Sequence, residues 1–252
     1  MTRQILNKII SSKQSFVMYI LIGTLLTGCA IAPNPEIDVF IEAIEGQVDT
    51  KIDPQTGAVT MQKKGVAVTL EPLDEIEMYS LTEDPHINPY LVVENNGNVE
   101  PMYTVFLMTV HNLTTPRVVV EESAQLIERN GAQYANLPFD YFEDLYGSVP
   151  NTDQNLQQSR TIPHYHPYYP HYRSYLDIAS LQAGQEFAAE SLFESGKLFK
   201  GAKRSGLIVF DRLNRDTVDM RIIVPEISII HSEEKHEKLK FNFDFKQVIA
   251  KN

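Results

Sequence analysis

Residues 103–110 read YTVFLMTV, with Val105 and Leu107 on one side of the extended chain and Phe106, Met108 and Val110 on the other. Successive side chains of a strand point to opposite faces, so a strand apolar on both faces needs two covering layers. The stretch therefore reads as a central strand in a layered β structure. Upstream, residues 65–70 (GVAVTL) alternate with Val66, Val68 and Leu70 on one face, and residues 53–57 (DPQTG) carry turn chemistry between two short extended runs. Residues 89–93 (PYLVV) lead into the turn Glu94-Asn95-Asn96-Gly97. Downstream, residues 117–121 and 125–127 are the next extended runs, and Arg129-Asn130-Gly131 turns the chain into Gln133 and Tyr134.

Strand patterns resume at residues 206–210 (GLIVF), 218–224 and 227–230. Residues 239–245 set Leu239, Phe241, Phe243 and Phe245 against Lys240, Asn242 and Asp244, as in a half-buried strand with a wet face. Two segments read as helices. Residues 137–146 have Pro138 near their start, Gly147 after their end, and Phe139, Phe142 and Leu145 about one turn apart. Residues 181–193 are the second, with Phe187, Leu192 and Phe193 as candidate contacts. The pattern predicts a mainly β fold, an antiparallel β-sandwich of about nine or ten short strands with one or two short helical insertions.

The N-terminus has a different character. Arg3, Lys8 and Lys13 are the only charged residues before Cys29, and residues 16–26 (FVMYILIGTLL) form an apolar run. That run is shorter than the roughly 20 residues a membrane-spanning helix needs. It ends in Leu26-Thr27-Gly28-Cys29, which resembles the lipobox of bacterial prolipoproteins: an aliphatic residue, two small residues, then a cysteine. The resemblance implies cleavage between Gly28 and Cys29 and a lipid of the palmitate type on Cys29, with the freed amine open to further acylation. Each buried acyl CH₂ contributes about 0.8 kcal/mol, so two or three chains hold a protein firmly where one does not. Residues 1–28 are expected to be an export signal and residues 29–37, with Pro33 and Pro35, a lipidated tether. Residues 38–252 are expected to be the sandwich, with a His/Tyr/Pro-rich loop inserted at 150–175. Ala30 stands where an aspartate would favour inner-membrane retention in enteric-type bacteria, so the same resemblance implies outer-membrane residence in a two-membrane host.

Cys29 is the only cysteine, so an exported domain of this sequence makes no internal disulfide and rests on its packed core. The chain has 22 Lys+Arg and 33 Asp+Glu, a net charge of −11 that becomes −14 once Arg3, Lys8 and Lys13 are removed. Such a balance excludes a general phosphate-contact surface for nucleic acid. It also opposes flat adsorption on an anionic bilayer, leaving the lipid to anchor the protein.

Motifs of catalysis are sparse. The chain has no G-x-S-x-G elbow, no G-x-x-x-x-G-K-[ST] loop and no H-E-x-x-H pair, so no enzymatic activity is expected. Asp140, Glu143 and Asp144 read as a solvated acidic helix face, and Lys197, Lys200, Lys203 and Arg204 as a small solvated basic loop. Asp211, Asn214, Asp216 and Asp219 lack the glycine and distal glutamate of a calcium loop and read as a hairpin turn. His86, His111, His231 and His236 are scattered and read as structural.

One segment stands apart. Residues 162–175 read IPHYHPYYPHYRSY, bringing His164, His166 and His171 together with Tyr168, Tyr169 and Tyr172. Three neutral imidazoles this close could ligate Cu(II) or Zn(II), since an H-x-H pair on an extended chain presents both rings to one side. Pro163, Pro167 and Pro170 favour that extended backbone. Equally, the tyrosines are suited to contact a partner protein or to pack on the sandwich.

Residues 106–134 and 205–230 resemble Ig-like domains of uncharacterised bacterial lipoproteins. The likeness lies in a strand ending in Asn112, in Tyr134 following Gly131, and in the Gly-aliphatic-Phe strand at 206–210. It implies an interaction or scaffold domain. The expectation is a membrane-anchored cell-envelope lipoprotein acting as a non-enzymatic structural or protein-interaction module toward an envelope partner. The alternative is an envelope metal-binding protein using the His/Tyr-rich loop.

Overall fold

The computed structural model describes residues 39–93, 99–121, 123–147, 178–231 and 236–249. Five strands form the first sheet: β2 (Thr50–Ile52), β3 (Val59–Lys63), β4 (Val66–Pro72), β7 (Tyr103–Asn112) and β12 (Lys203–Asp211), in the order β12-β7-β4-β3-β2. The facing layer has two parts. One is ordered β1 (Val39–Ala43), β16 (Asn242–Ile249), β13 (Asp219–Ile223), β9 (Gln125–Glu128), β10 (Gln133–Ala135). The other is ordered β11 (Gly196–Phe199), β8 (Arg117–Val120), β14 (Ile227–Ile230), β15 (His236–Leu239). A separate hairpin pairs β5 (Leu91–Val93) with β6 (Val99–Pro101). The strand pairings are antiparallel, and the fold is a mainly β antiparallel sandwich.

The two parts of the second layer run into each other, β8 into β9, β13 into β14 and β15 into β16, in matching order. Pro225, between β13 and β14, has no N–H to give to a ladder and marks the break. Two backbone bonds bridge it: the Val224 amide donates to Phe241 O at 3.0 Å and the Glu121 amide to Glu226 O at 3.1 Å. Between the layers lies one apolar core. Val68, Leu70, Phe106, Met108, Ile208 and Phe210 of the first sheet meet Val118, Leu126, Ile222, Ile229, Phe243 and Phe245 of the second. The Phe106 ring stands 5.2 Å from that of Phe245 and 6.3 Å from that of Phe210.

The other face of β7 and β12 is also covered, as the two-faced run at 103–110 predicts. Tyr103, Val105, Leu207 and Val209 lie in a second core with Tyr90, Leu91 and Met102 and with residues of three helices. The helices are α1 (Glu75–Tyr79), α2 (Phe139–Gly147) and α3 (Ile178–Ser191), which contribute Met78, Phe142 and Ala188. Tyr90 meets Phe142 edge-to-face at 5.6 Å, and its hydroxyl lies 2.7 Å from Ser191 Oγ. The chain leaves the sheet for α2 and returns from α3 along one edge of β12. There the Leu137 amide donates to Val209 O at 2.7 Å and the Phe193 amide to Leu207 O at 2.9 Å. This covers an edge that would otherwise expose unpaired backbone groups. Gly206 allows the approach, because a Cβ there would stand 2.5 Å from Phe193 Cα and 2.7 Å from Phe193 N.

Several expectations need correcting. The described residues form sixteen strands rather than nine or ten, because short strands such as β1, β2, β5 and β6 carry too few residues for a legible alternation. The run at 239–245 is divided between β15 and β16, although its four apolar side chains all point inward as read. The segment from Asp211 to Asp219 is not a hairpin turn: it carries the chain from β12 in one sheet to β13 in the other. The basic loop at 197–204 is partly extended and carries the chain from β11 in the second layer to β12 in the first through a turn with Gly201 at φ +79°.

Candidate functional site

Cys29, Gly28, His164, His166, His171, Tyr168, Tyr169 and Tyr172 all lie outside the described residues, as does the 150–175 segment. The sites that can be built from geometry are elsewhere. Among the described residues no group of three His, Cys, Asp or Glu is placed to hold a metal ion. His86, His231 and His236 are exposed, and His231 Nε2 stands 3.5 Å from Glu237 Oε2. Asp140, Glu143 and Asp144 are exposed on α2, in keeping with a solvated face.

A groove of about 350 Å³, open to solvent, lies where β1, the β2–β3 turn and the start of α1 converge. Phe40, Ile41, Pro72 and Leu73 give it apolar walls, Gln55 and Thr56 stand at its mouth, and Asp74 and Glu77 supply carboxylates. Each side is held by local chemistry. In the turn, Asp53 Oδ1 accepts from the Gln55 amide at 2.9 Å and Thr56 Oγ1 from the Ala58 amide at 3.2 Å, the side-chain bonds that make Asp and Thr turn formers. Opposite, Asp74 and Glu77 form a capping box: the Glu77 amide donates to Asp74 Oδ1 at 2.8 Å and the Asp74 amide to Glu77 Oε2 at 3.0 Å. Asn88, fully enclosed, donates to Met78 O at 2.8 Å and fixes the far end of α1.

Burial pushes the Glu77 carboxyl above its ordinary pKa. The bond from the Asp74 amide works against this, while the nearby carboxylates of Asp74 and Glu71 add to the rise. A negative field in an apolar recess is what a cation next to an apolar side chain would neutralise. Asp74 and Glu77 already serve the helix cap, so the arrangement suits recognition more than proton transfer. The D-x-x-E spacing at 74–77 is a legible helix-start signal that sequence reading passed over.

Two other polar constellations are structural. Asn112, fully buried at the end of β7, donates through Nδ2 to Thr115 O and to Leu198 O, both at 3.0 Å. Its Oδ1 accepts from the Thr115 amide at 3.0 Å and from Thr115 Oγ1 at 2.6 Å, so one side chain ties β7 to β11. Glu128, also buried, accepts from Tyr134 Oη at 2.9 Å, Thr217 Oγ1 at 3.0 Å and Asn130 Nδ2 at 2.7 Å. This joins the β9–β10 hairpin to the crossing segment before β13. On the outer face of the first sheet, Thr60, Thr69, Thr109 and Ser205 stand in register across four strands. Hydroxyl contacts of 2.8 Å link Thr60 to Thr69 and Thr109 to Ser205, the ordinary cross-strand pairing of a wet sheet face.

Comparison with protein-family models, with curated proteins and with solved structures finds no match to this chain.

Proposed function

We propose that this chain is a lipid-anchored cell-envelope protein whose β-sandwich is a non-enzymatic interaction module, bound to the membrane through Cys29 and to an envelope protein through its surface. The observation that carries the reading is the segment Leu26-Thr27-Gly28-Cys29 at the end of a short apolar run, ten residues before the first described strand at Val39. A tether of about that length spans at most roughly 35 Å and keeps the domain near the bilayer. No helix among the described residues is long and apolar enough to cross a membrane. The β1 end of the sandwich carries the apolar groove with its carboxylates, a surface fitted to a partner side chain. Tyr168, Tyr169 and Tyr172 remain candidate contacts by residue type.

Metabolic labelling with palmitate tests the anchor. The wild-type chain incorporates label and Cys29→Ser accumulates as an unlabelled precursor; label on the mutant overturns the anchor. In a host with two membranes, density-gradient fractionation places the protein with outer-membrane markers. Recovery with inner-membrane markers would reject that part of the reading. Co-purification after mild crosslinking identifies the partner.

A further inference from the structure

The turn between β11 and β12 is the groove's counterpart in shape and charge. Phe199, the last residue of β11, is 64% exposed, a large aromatic ring in water where the chain crosses from the second layer to the first. Lys197 and Phe199 point outward from β11 while Leu198 points into the core. Lys200 and Lys203 flank the turn, and Arg117 stands directly across from Phe199 on β8. Of the other cations, Lys64, Arg129, Arg212, Arg221, Lys238 and Lys246 each pair with a carboxylate. Among the described residues, Arg117, Lys197, Lys200 and Lys203 have no carboxylate partner. Positive charge without a carboxylate partner therefore surrounds the exposed phenylalanine.

Groove and turn lie at opposite ends of the sandwich. Along β7 the groove's Pro72 is opposite Phe106, and Lys203, next to the turn, is opposite His111. The separation is five residues, or roughly 17 Å, and each feature extends outward beyond its own end of the strand. They cannot meet within one molecule. Between two molecules they can, with Phe199 entering apolar walls and its lysines facing Asp74 and Glu77.

We infer that the partner of the groove is a second copy of this chain, which inserts the Phe199 beside its β11–β12 turn in a head-to-tail contact. A surface patch meeting a different patch at the opposite end is a heterologous interface, which propagates into rows rather than closing as a two-fold dimer. Beside a membrane, such rows would be held in one plane by the lipid on each copy. The inference rests on the groove being a protein-binding site.

The test uses full-length protein purified from membranes in mild detergent, followed by sedimentation velocity over a range of concentrations. The wild-type chain associates progressively with concentration. Phe199→Ala combined with Lys200→Glu removes the Phe199 half, and Gln55→Lys, at an exposed turn position outside both cores, places a cation at the groove mouth. Each weakens association by at least about tenfold, the loss expected when an interface anchor is removed. An equimolar mixture of the two variants forms a one-to-one complex and stops there, since one intact Phe199 turn meets one intact groove. Circular dichroism confirms that both variants are folded. A wild-type chain that stays monomeric, a variant that associates like wild type, or a mixture that stays monomeric overturns the inference. If Gln55→Lys abolishes recovery of a different crosslinked protein while self-association is absent, the interaction-module reading stands and the identity of the partner does not.

Discussion

Replacing Asn112 by alanine tests whether one buried amide holds the two layers together. The side chain is fully enclosed and makes four hydrogen bonds, to Thr115 O, Leu198 O, the Thr115 amide and Thr115 Oγ1. Alanine leaves these groups without that partner, and a buried polar group left unsatisfied costs about 1–3 kcal/mol. Water admitted to the small void recovers part of the loss. The expected destabilisation is about 3 kcal/mol, or roughly 6–12 °C in Tm for a domain of this size. Urea titration should show a lower midpoint with an unchanged slope. Asn112→Asp is the informative control, for it keeps the size and both acceptor contacts but turns an oxygen toward Thr115 O and Leu198 O. At neutral pH it should be no more stable than the alanine variant, with partial recovery in acid, where a protonated carboxyl can donate one bond. A loss below about 1 kcal/mol for alanine, or an aspartate variant as stable as wild type at neutral pH, would refute the bridging role.

Gly206→Ala should cost at least about 1–3 kcal/mol, because the added Cβ meets the Phe193 backbone and not a yielding side-chain tip. Hydrogen exchange should show the Phe193 amide losing protection, and an unchanged exchange rate would contradict the stitch along β12. Glu77→Gln keeps an acceptor for the Asp74 amide but removes the carboxylate whose burial raises its pKa. A folded-state pKa above the unfolded one means that the wild type binds its proton more tightly when folded, and so loses stability as pH rises from the ordinary value of 4.5 through the raised one. The variant lacks that loss, so its Tm relative to wild type should climb across this interval and stay level above it; a difference constant between about pH 4 and 7 would be the wrong outcome. If the His/Tyr segment binds metal, titration calorimetry with Cu(II) or Zn(II) should give saturable binding that His164, His166 and His171 to alanine abolishes. Alanine at Tyr168, Tyr169 and Tyr172 should spare metal binding, and should lower partner recovery without lowering Tm if those rings are contacts instead.

Sequence pattern alone was enough for the strand-rich character of the chain and for the faces its strands would bury. Side-chain alternation is a local property of an extended backbone, so the two apolar faces of residues 103–110 already required a layer on each side. The same logic placed Leu239, Phe241, Phe243 and Phe245 inward without regard to the break between β15 and β16. The asparagine ending β7 was visible as a residue type, but its four partners were not, because Leu198 lies 86 positions away. Periodicity reports that a face is covered and says nothing of what covers it. Pairing, layer and edge are decided by long-range packing. That is why the Asp211 to Asp219 segment read as a hairpin turn and proved to be a crossing between sheets. It is also why the basic loop became a sheet-edge strand with an exposed ring only when β11 paired with β8. The groove has no local signature at all. Phe40, Gln55, Pro72 and Glu77 become neighbours only when β1, the β2–β3 turn and α1 meet at one end of the sandwich, and only the assembled fold sets that end opposite Phe199.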